Sequence, residues 1–166
     1  MVNYTLPHFG QLDISNLEEY YDVDIEFNAK KIQIDLNFEN KTIDIKRLDR
    51  VKKFIDNIAD FDKKNAKYIE KDYSDEDCDT VKTYVEHHLG EISEDELTSL
   101  VDFNNKSIEP EKQLIKALHL VRVGLYPDSE DQFAIFDYSI GRDLTDYLIV
   151  INTDEKGKLD YMTMES

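Results

Sequence analysis

Residues 20–38 read YYDVDIEFNAKKIQIDLNF, and this stretch decides the fold. Apolar side chains alternate with acidic or polar ones from Tyr21 to Phe27 and again from Ile32 to Phe38. A period of two places one kind of side chain on each face of a β-strand. The two runs are separated by the short break Asn28-Ala29-Lys30. The stretch therefore predicts a half-buried β-hairpin with one apolar and one acidic face.

The residues that follow change to the period of a helix, with apolar side chains recurring every three or four positions. Three stretches show this pattern, namely 45–59, 63–73 and 79–89. Gly90 predicts the end of the third helix, and Ser93 with Glu96 forms a capping-box pattern that begins a fourth. Residues 44–109 are therefore predicted to form a helical segment.

Strand patterns return in the last third of the chain. The run from Leu114 to Tyr126 becomes apolar on both faces near its end, which predicts a central strand. Three further strands follow at 133–140, 147–153 and 159–164, with short turns between them. Connections this short join antiparallel neighbours, so residues 110–166 are predicted to form a β-meander.

Strands, then helices, then strands are typical of the α+β class. We expect a single domain over residues 1–166, with the N-terminal hairpin in 1–43. The hairpin and the C-terminal meander should form one antiparallel sheet, with the central helical segment packed on one of its faces. The segment His8 to Leu12 is expected to add an edge strand to this sheet.

The charge of the chain narrows the class of partner. There are 37 acidic residues against 20 Lys and Arg among 166 residues, which gives a net charge of −17. Nucleic-acid phosphates and anionic membranes attract clustered cations, so direct contact with either is not expected. A basic protein is the expected partner, although acidic composition also serves solubility alone. The single cysteine, Cys78, and the lack of a signal-peptide pattern at the start predict a cytoplasmic protein.

No motif for catalysis, cofactor binding or structural zinc is present, since HExxH, CxxC, GxSxG and P-loop spacings are all missing. Adjacent histidines on a helix point about 100° apart, so His87 and His88 do not share a ligand face. His87 and Glu91 could share one if the helix continued past Gly90. We predict no metal site and no cofactor, with His88 facing the core and His87 facing water.

Two patterns near the end of the chain indicate candidate binding residues. Arg122 interrupts an apolar run, so it needs carboxylates, which Asp137 or Asp146 could supply as a structural ion pair or as an interface anchor. The dipeptide Asp-Tyr also occurs once for each of the last three predicted strands. Its tyrosines either pack in the core or form a recognition patch with the acids. These candidates are Asp137, Tyr138, Asp146, Tyr147, Asp160 and Tyr161.

Several strings of the chain resemble a bacterial family of domains of unknown function. They are GLYP at 124–127, FDYSIG at 136–141, LTDYLIV at 144–150 and TMES at 163–166. The N-terminal hairpin and Glu86-His87-His88-Leu89 are similar to that family as well. The resemblance implies no activity directly, but acidic proteins of this kind occur among the immunity proteins encoded beside bacterial polymorphic toxins.

The leading hypothesis is therefore a non-catalytic acidic binding protein, an immunity-type inhibitor of a basic bacterial toxin. Such a protein needs a preformed surface of complementary charge and no chemistry of its own. One alternative is a small-molecule or metal-dependent enzyme that uses His87, Glu91 or carboxylates in a sheet cleft. Another is a regulator whose carboxylates mimic nucleic-acid phosphates.

Overall fold

A computed structural model describes residues 1–166, with strands, helices and strands in that order. The first four strands are β1 (Asn3–Leu6), β2 (Gly10–Asp13), β3 (Tyr20–Phe27) and β4 (Lys30–Asn37). The helices are α1 (Ile45–Asp56), α2 (Ile58–Ser74), α3 (Thr80–Glu91), α4 (Glu94–Leu97) and α5 (Pro110–Ala117). The last four strands are β5 (His119–Leu125), β6 (Ala134–Ser139), β7 (Leu148–Thr153) and β8 (Leu159–Glu165).

Strands β3 to β8 form one six-stranded sheet in chain order, and this confirms the α+β class. Four of its pairings are antiparallel, as predicted, but β4 and β5 are parallel. The structure differs here because the whole helical segment lies between these strands, and a long crossover returns the chain in the same direction. The sheet is therefore mixed at its centre.

Three local predictions differ from the structure. Leu114 lies in helix α5, which starts with Pro110 at a position where proline costs no hydrogen bond, so the strand begins only at His119. Gly90 lies inside α3, because Ile92 closes the helix through its N–H bond to the carbonyl of His88. The segment His8 to Leu12 does not join the main sheet; β1 and β2 pair only with each other.

Local sequence explains where the main elements turn and begin. Asn28 and Ala29 adopt φ values of 50° and 62° between β3 and β4, the left-handed conformation that a two-residue hairpin turn requires. Asp44 starts α1 by accepting the Lys46 N–H at 2.9 Å. Ser93 starts α4 by accepting the Glu96 N–H at 3.3 Å, which confirms that half of the predicted capping box.

One core of 30 buried residues joins the sheet to the helices. Alternate residues of the sheet contribute to it, for example Ile32, Ile34 and Leu36 of β4. Phe54 of α1 lies against Phe136 of β6, with ring centroids 5.8 Å apart, so the helical layer packs on this face. The opposite face of the sheet is left without a helix. None of the helices combines the length and the apolar composition that a membrane crossing requires.

Candidate functional site

The side of the sheet that faces away from the helices is the candidate site, and we call it the open face. Because side chains alternate along a strand, the residues between the core positions point to this side. The strand register aligns them in two rows across all six strands. The first row is Asp22, Asp35, Gly124, Ile135, Asn152 and Tyr161, and the second is Asp24, Gln33, Arg122, Asp137, Val150 and Thr163.

Arg122 lies at the centre of the open face between two carboxylates. Its Nε and one terminal nitrogen donate to the two oxygens of Asp35 at 2.6 and 3.1 Å. Its other terminal nitrogen donates to Asp137 Oδ2 at 3.2 Å. Asn37 also donates to Asp35, at 2.7 Å. Asp35 and Asp137 are 0% and 6% exposed, so this is a buried ion cluster with its hydrogen bonds largely satisfied.

Burial and the neighbouring charges act in opposite directions on the pKa values of Arg122 and Asp137. Burial would lower the pKa of Arg122, but the hydrogen bonds and the charge of Asp35, together with Asp137, raise it above its ordinary value. Burial raises the pKa of Asp137, although the nearby Arg122 works against that rise. Arg122 therefore stays charged at every physiological pH and fixes the two carboxyl groups in place.

Gly124 provides the space that this arrangement needs. A Cβ atom added there would lie 2.5 Å from a terminal nitrogen of Arg122 and 3.2 Å from Asp35 Oδ1. The guanidinium cannot move aside easily, because two buried carboxylates hold it. Glycine at this position of the strand is thus explained by the ion cluster above it.

We expect Gly124→Ala to lower the free energy of unfolding by about 1–3 kcal/mol, because overpacking displaces the Arg122 side chain. Urea unfolding followed by circular dichroism measures this loss. Gly90→Ala is the matched control, since nothing lies within 4 Å of a Cβ at that helical site. That control should be neutral or stabilising by up to about 1 kcal/mol. Equal stability of Gly124→Ala and the parent would show that the cluster is loosely held.

The outer strands of the open face carry exposed aromatic and acidic side chains. Tyr20 on β3 and Tyr161 on β8 are 50% and 47% exposed, although large side chains are usually buried. Asp22, Asp24 and Glu26 are exposed along β3. Lys31 on the neighbouring strand forms an exposed ion pair with Asp24 at 3.1 Å, which contributes little energy. The face therefore offers aromatic rings and carboxylates to solvent.

A groove of about 300 Å³ lies beside Tyr161 on the same face. Tyr126 and Tyr161 contribute aromatic walls, and Glu39 and Asp128 contribute carboxylates. Asp128 is fixed in place because it accepts the Glu39 N–H at 2.7 Å. Aromatic faces and carboxylates together suit a Lys or Arg side chain, which binds both.

The structure separates the residues of the first Asp-Tyr dipeptide. Asp137 lies on the open face, as described above, whereas Tyr138 points to the helical side and is 3% exposed. The Tyr138 hydroxyl donates to Asp62 Oδ1 at 2.7 Å and accepts from Asn65 Nδ2 at 3.2 Å. Burial raises the pKa of Tyr138 well above its ordinary value, with the charge of Asp62 acting in the same direction. Tyr138 is thus a core residue.

The other two dipeptides do not complete a common patch. Asp146 and Tyr147 precede β7 at one end of the sheet, where the Tyr147 ring lies 4.6 Å from that of His87. Asp160 is exposed at a register shift of β8. Of the tyrosines in the three dipeptides, only Tyr161 reaches the open face. Asp146 forms no ion pair with Arg122, whose partners are Asp35 and Asp137.

His88 is buried, as predicted, and both ring nitrogens are bonded. Nδ1 lies 2.6 Å from the carbonyl oxygen of Tyr84, so it carries the proton, and Nε2 lies 2.8 Å from the hydroxyl of Thr145. His87 is half-buried beside the ring of Tyr147, although it was predicted to face water. No group of three or more His, Cys, Asp or Glu side chains lies close enough to hold a metal ion.

Burial lowers the pKa of His88 below its ordinary value of 6.5. The folded state thus favours neutral His88, while the unfolded chain takes up the proton near pH 6.5. The resulting stabilisation is complete above pH 6.5 and is lost as the pH falls toward the folded-state pKa. When the pH is lowered from about 7 to about 5, we expect the free energy of unfolding to fall less for His88→Gln than for the parent. The difference should be about 1.4 kcal/mol for each unit by which the pKa of His88 in the folded state lies below that in the unfolded chain.

Urea unfolding of both proteins at several pH values measures this difference. Carboxylates titrate in both proteins, so the difference between the two pH profiles isolates the contribution of His88. Parallel profiles would contradict a buried neutral imidazole at this position.

Comparison with protein-family models gives no match for this chain, and comparison with curated proteins and with solved structures gives none either. The family resemblance suggested by the sequence strings therefore stays a prediction.

Proposed function

We propose that this chain is a non-catalytic binding protein that inhibits a basic bacterial toxin by docking on it with the open face. The observation that carries the proposal is the groove beside Tyr161, in which aromatic rings and carboxylates stand together on a face that bears no helix. A Lys or Arg side chain of the partner fits these groups. The proposal includes a cytoplasmic location, where a single cysteine stays reduced.

The charge of the whole molecule supports a basic partner. Only five of the 37 acidic side chains lie within 4.0 Å of a cation, namely Asp24, Asp35, Glu130, Asp137 and Glu155. Most carboxylates are therefore not neutralised within the chain. The negative electrostatic field of the chain speeds the approach of a positively charged protein, and added salt weakens this effect.

The buried ion cluster supports the proposal that the binding surface is ordered before the partner arrives. Arg122 bridges β4 and β6 through Asp35 and Asp137, so the central strands of the open face have one fixed arrangement. A surface that is already ordered loses less conformational entropy on binding. Tight inhibitors use such preformed surfaces.

Co-expression in a bacterial host tests the function. Each gene adjacent to the one for this chain is expressed alone and then together with it. We expect one neighbour to encode a basic protein that stops growth, and this chain to restore growth and to copurify with that protein. The proposal fails if no neighbour is toxic and none binds.

Two charge variants test the surface. Asp22→Lys combined with Asp24→Lys reverses exposed charges on the open face, and we expect it to abolish the rescue of growth. Glu76→Lys combined with Asp77→Lys makes the same change in net charge in the loop between α2 and α3. That control should still rescue. If both variants lost the rescue of growth equally, net charge alone would explain the rescue, and this result would contradict docking by the open face.

A further inference from the structure

A second cavity lies on the helical side of the sheet, away from the open face. It has a volume of about 270 Å³ and opens between α2, the turn from β3 to β4, and the junction of α5 with β5. This volume lies at the lower end of the about 300–1,000 Å³ that is typical of ligand pockets, so only a small ligand fits. Phe27, Ile69, Ile115 and Leu118 give it a largely apolar lining.

The protein holds two polar side chains in place in this cavity, His119, whose Nδ1 lies 3.0 Å from the carbonyl oxygen of Ala117, and Asp62, which is the acidic one. Its Oδ1 accepts the Tyr138 hydroxyl at 2.7 Å, and that hydroxyl is fixed in turn by the amide of Asn65 at 3.2 Å. Tyr138 and Asn65 are 3% and 1% exposed, so the carboxylate rests on a rigid buried support. Asp62 Oδ2 accepts no hydrogen bond from the protein and is free for a ligand that donates one.

The helix beside Asp62 leaves space for such a ligand. Ala66 follows one turn later on the same face of α2 and also lines the cavity. Ala66 is exposed, so its small methyl group keeps the mouth of the cavity open, and a larger residue here would narrow it. The charged residues Lys30, Glu70 and Lys116 are exposed at the rim, whereas Asp62 is partly buried.

We propose that this cavity binds a small primary amine with an apolar body. The ammonium group donates to Asp62, and the body packs against the apolar lining. A carboxylate accepts hydrogen bonds and favours a cationic donor over a neutral one, because charge-assisted hydrogen bonds are the stronger kind. The net charge of −17 favours the approach of a cation over that of an acid, while Lys30 and Lys116 at the rim oppose it, so the selectivity rests on Asp62. This inference is independent of the proposed toxin inhibition.

Titration with phenethylamine, followed by two-dimensional NMR of the whole chain, tests the proposal. We expect saturable shifts at Ala66, Ile115 and neighbouring amides. Phenethyl alcohol, which has the same body with a neutral head, should bind at least about tenfold more weakly, and phenylacetate should not bind. Equal binding of the amine and the alcohol, or no saturable shift with the amine, would overturn the proposal.

Two variants assign the binding to named atoms. Asp62→Asn keeps an acceptor for Tyr138 but removes the charge, and we expect at least about tenfold weaker binding of phenethylamine. Ala66→Leu places a bulkier side chain at the exposed mouth of the cavity and should weaken binding. Asp56→Asn removes an exposed charge from α1 and serves as the matched control with unchanged binding. Unchanged binding in Asp62→Asn or in Ala66→Leu would place the amine elsewhere and contradict the proposal.

Discussion

Arg122→Met is expected to lower the free energy of unfolding by about 3 kcal/mol. The change leaves two carboxyl groups, those of Asp35 and Asp137, buried without a cation, and breaking a buried pair costs about 3–5 kcal/mol. The lower end applies because the Arg122 side chain is 26% exposed. Urea unfolding near neutral pH measures the loss, which is a large part of the about 5–15 kcal/mol of a typical domain.

A second set of variants separates the lost cation from lost packing. Replacing Asp35 and Asp137 by Leu together with Arg122→Met removes all three charges, and we expect it to recover most of the stability. Arg142→Met, in an exposed turn, should change stability by less than about 0.5 kcal/mol. If Arg122→Met were as stable as Arg142→Met, the ion cluster would not hold the sheet.

Tyr161→Ala is expected to raise the dissociation constant of the complex with the basic partner by about 30-fold. Aromatic hot-spot residues of an interface contribute about 2 kcal/mol or more, and Tyr161 forms one wall of the acidic groove. The change should act mainly on the dissociation rate, since the long-range charge is the same. Surface plasmon resonance with the partner identified by growth rescue measures both rates.

Tyr147→Ala is the matched control for this prediction. Tyr147 is also exposed, at 37%, but it lies at the end of the sheet beside His87. We expect its removal to leave binding unchanged. A larger effect of Tyr147→Ala than of Tyr161→Ala would place the interface at the end of β7 and contradict docking by the open face.

The sequence predicted the elements whose signals are local. Residues 20–38 form the hairpin because strict alternation over two runs has no helical interpretation, and the positive φ values of Asn28 and Ala29 close the turn. Helix α1 follows from its three- and four-residue period. These patterns are complete within about 20 residues, so no distant contact is needed to decide them.

The centre of the candidate site depends on contacts that the sequence does not show. The alternation of residues 32–38 puts Asp35 on the acidic face of the predicted half-buried hairpin, yet it is 0% exposed. The parallel pairing of β4 with β5 brings it to Arg122, 87 positions along the chain. The interrupted apolar run did indicate that Arg122 needs carboxylates, and Asp137 was found in that way. Its two-bond partner, Asp35, could be identified only from the pairing.

NMR mapping of the complex tests the central claim most directly. The isotope-labelled chain is titrated with the basic partner, and the shifted resonances are placed on the structure. We expect the largest shifts on the open face, at Tyr20, Gln33, Tyr126 and Tyr161, with the helices almost unchanged. Shifts centred on α2 and α3, with the open face unaffected, would contradict this claim.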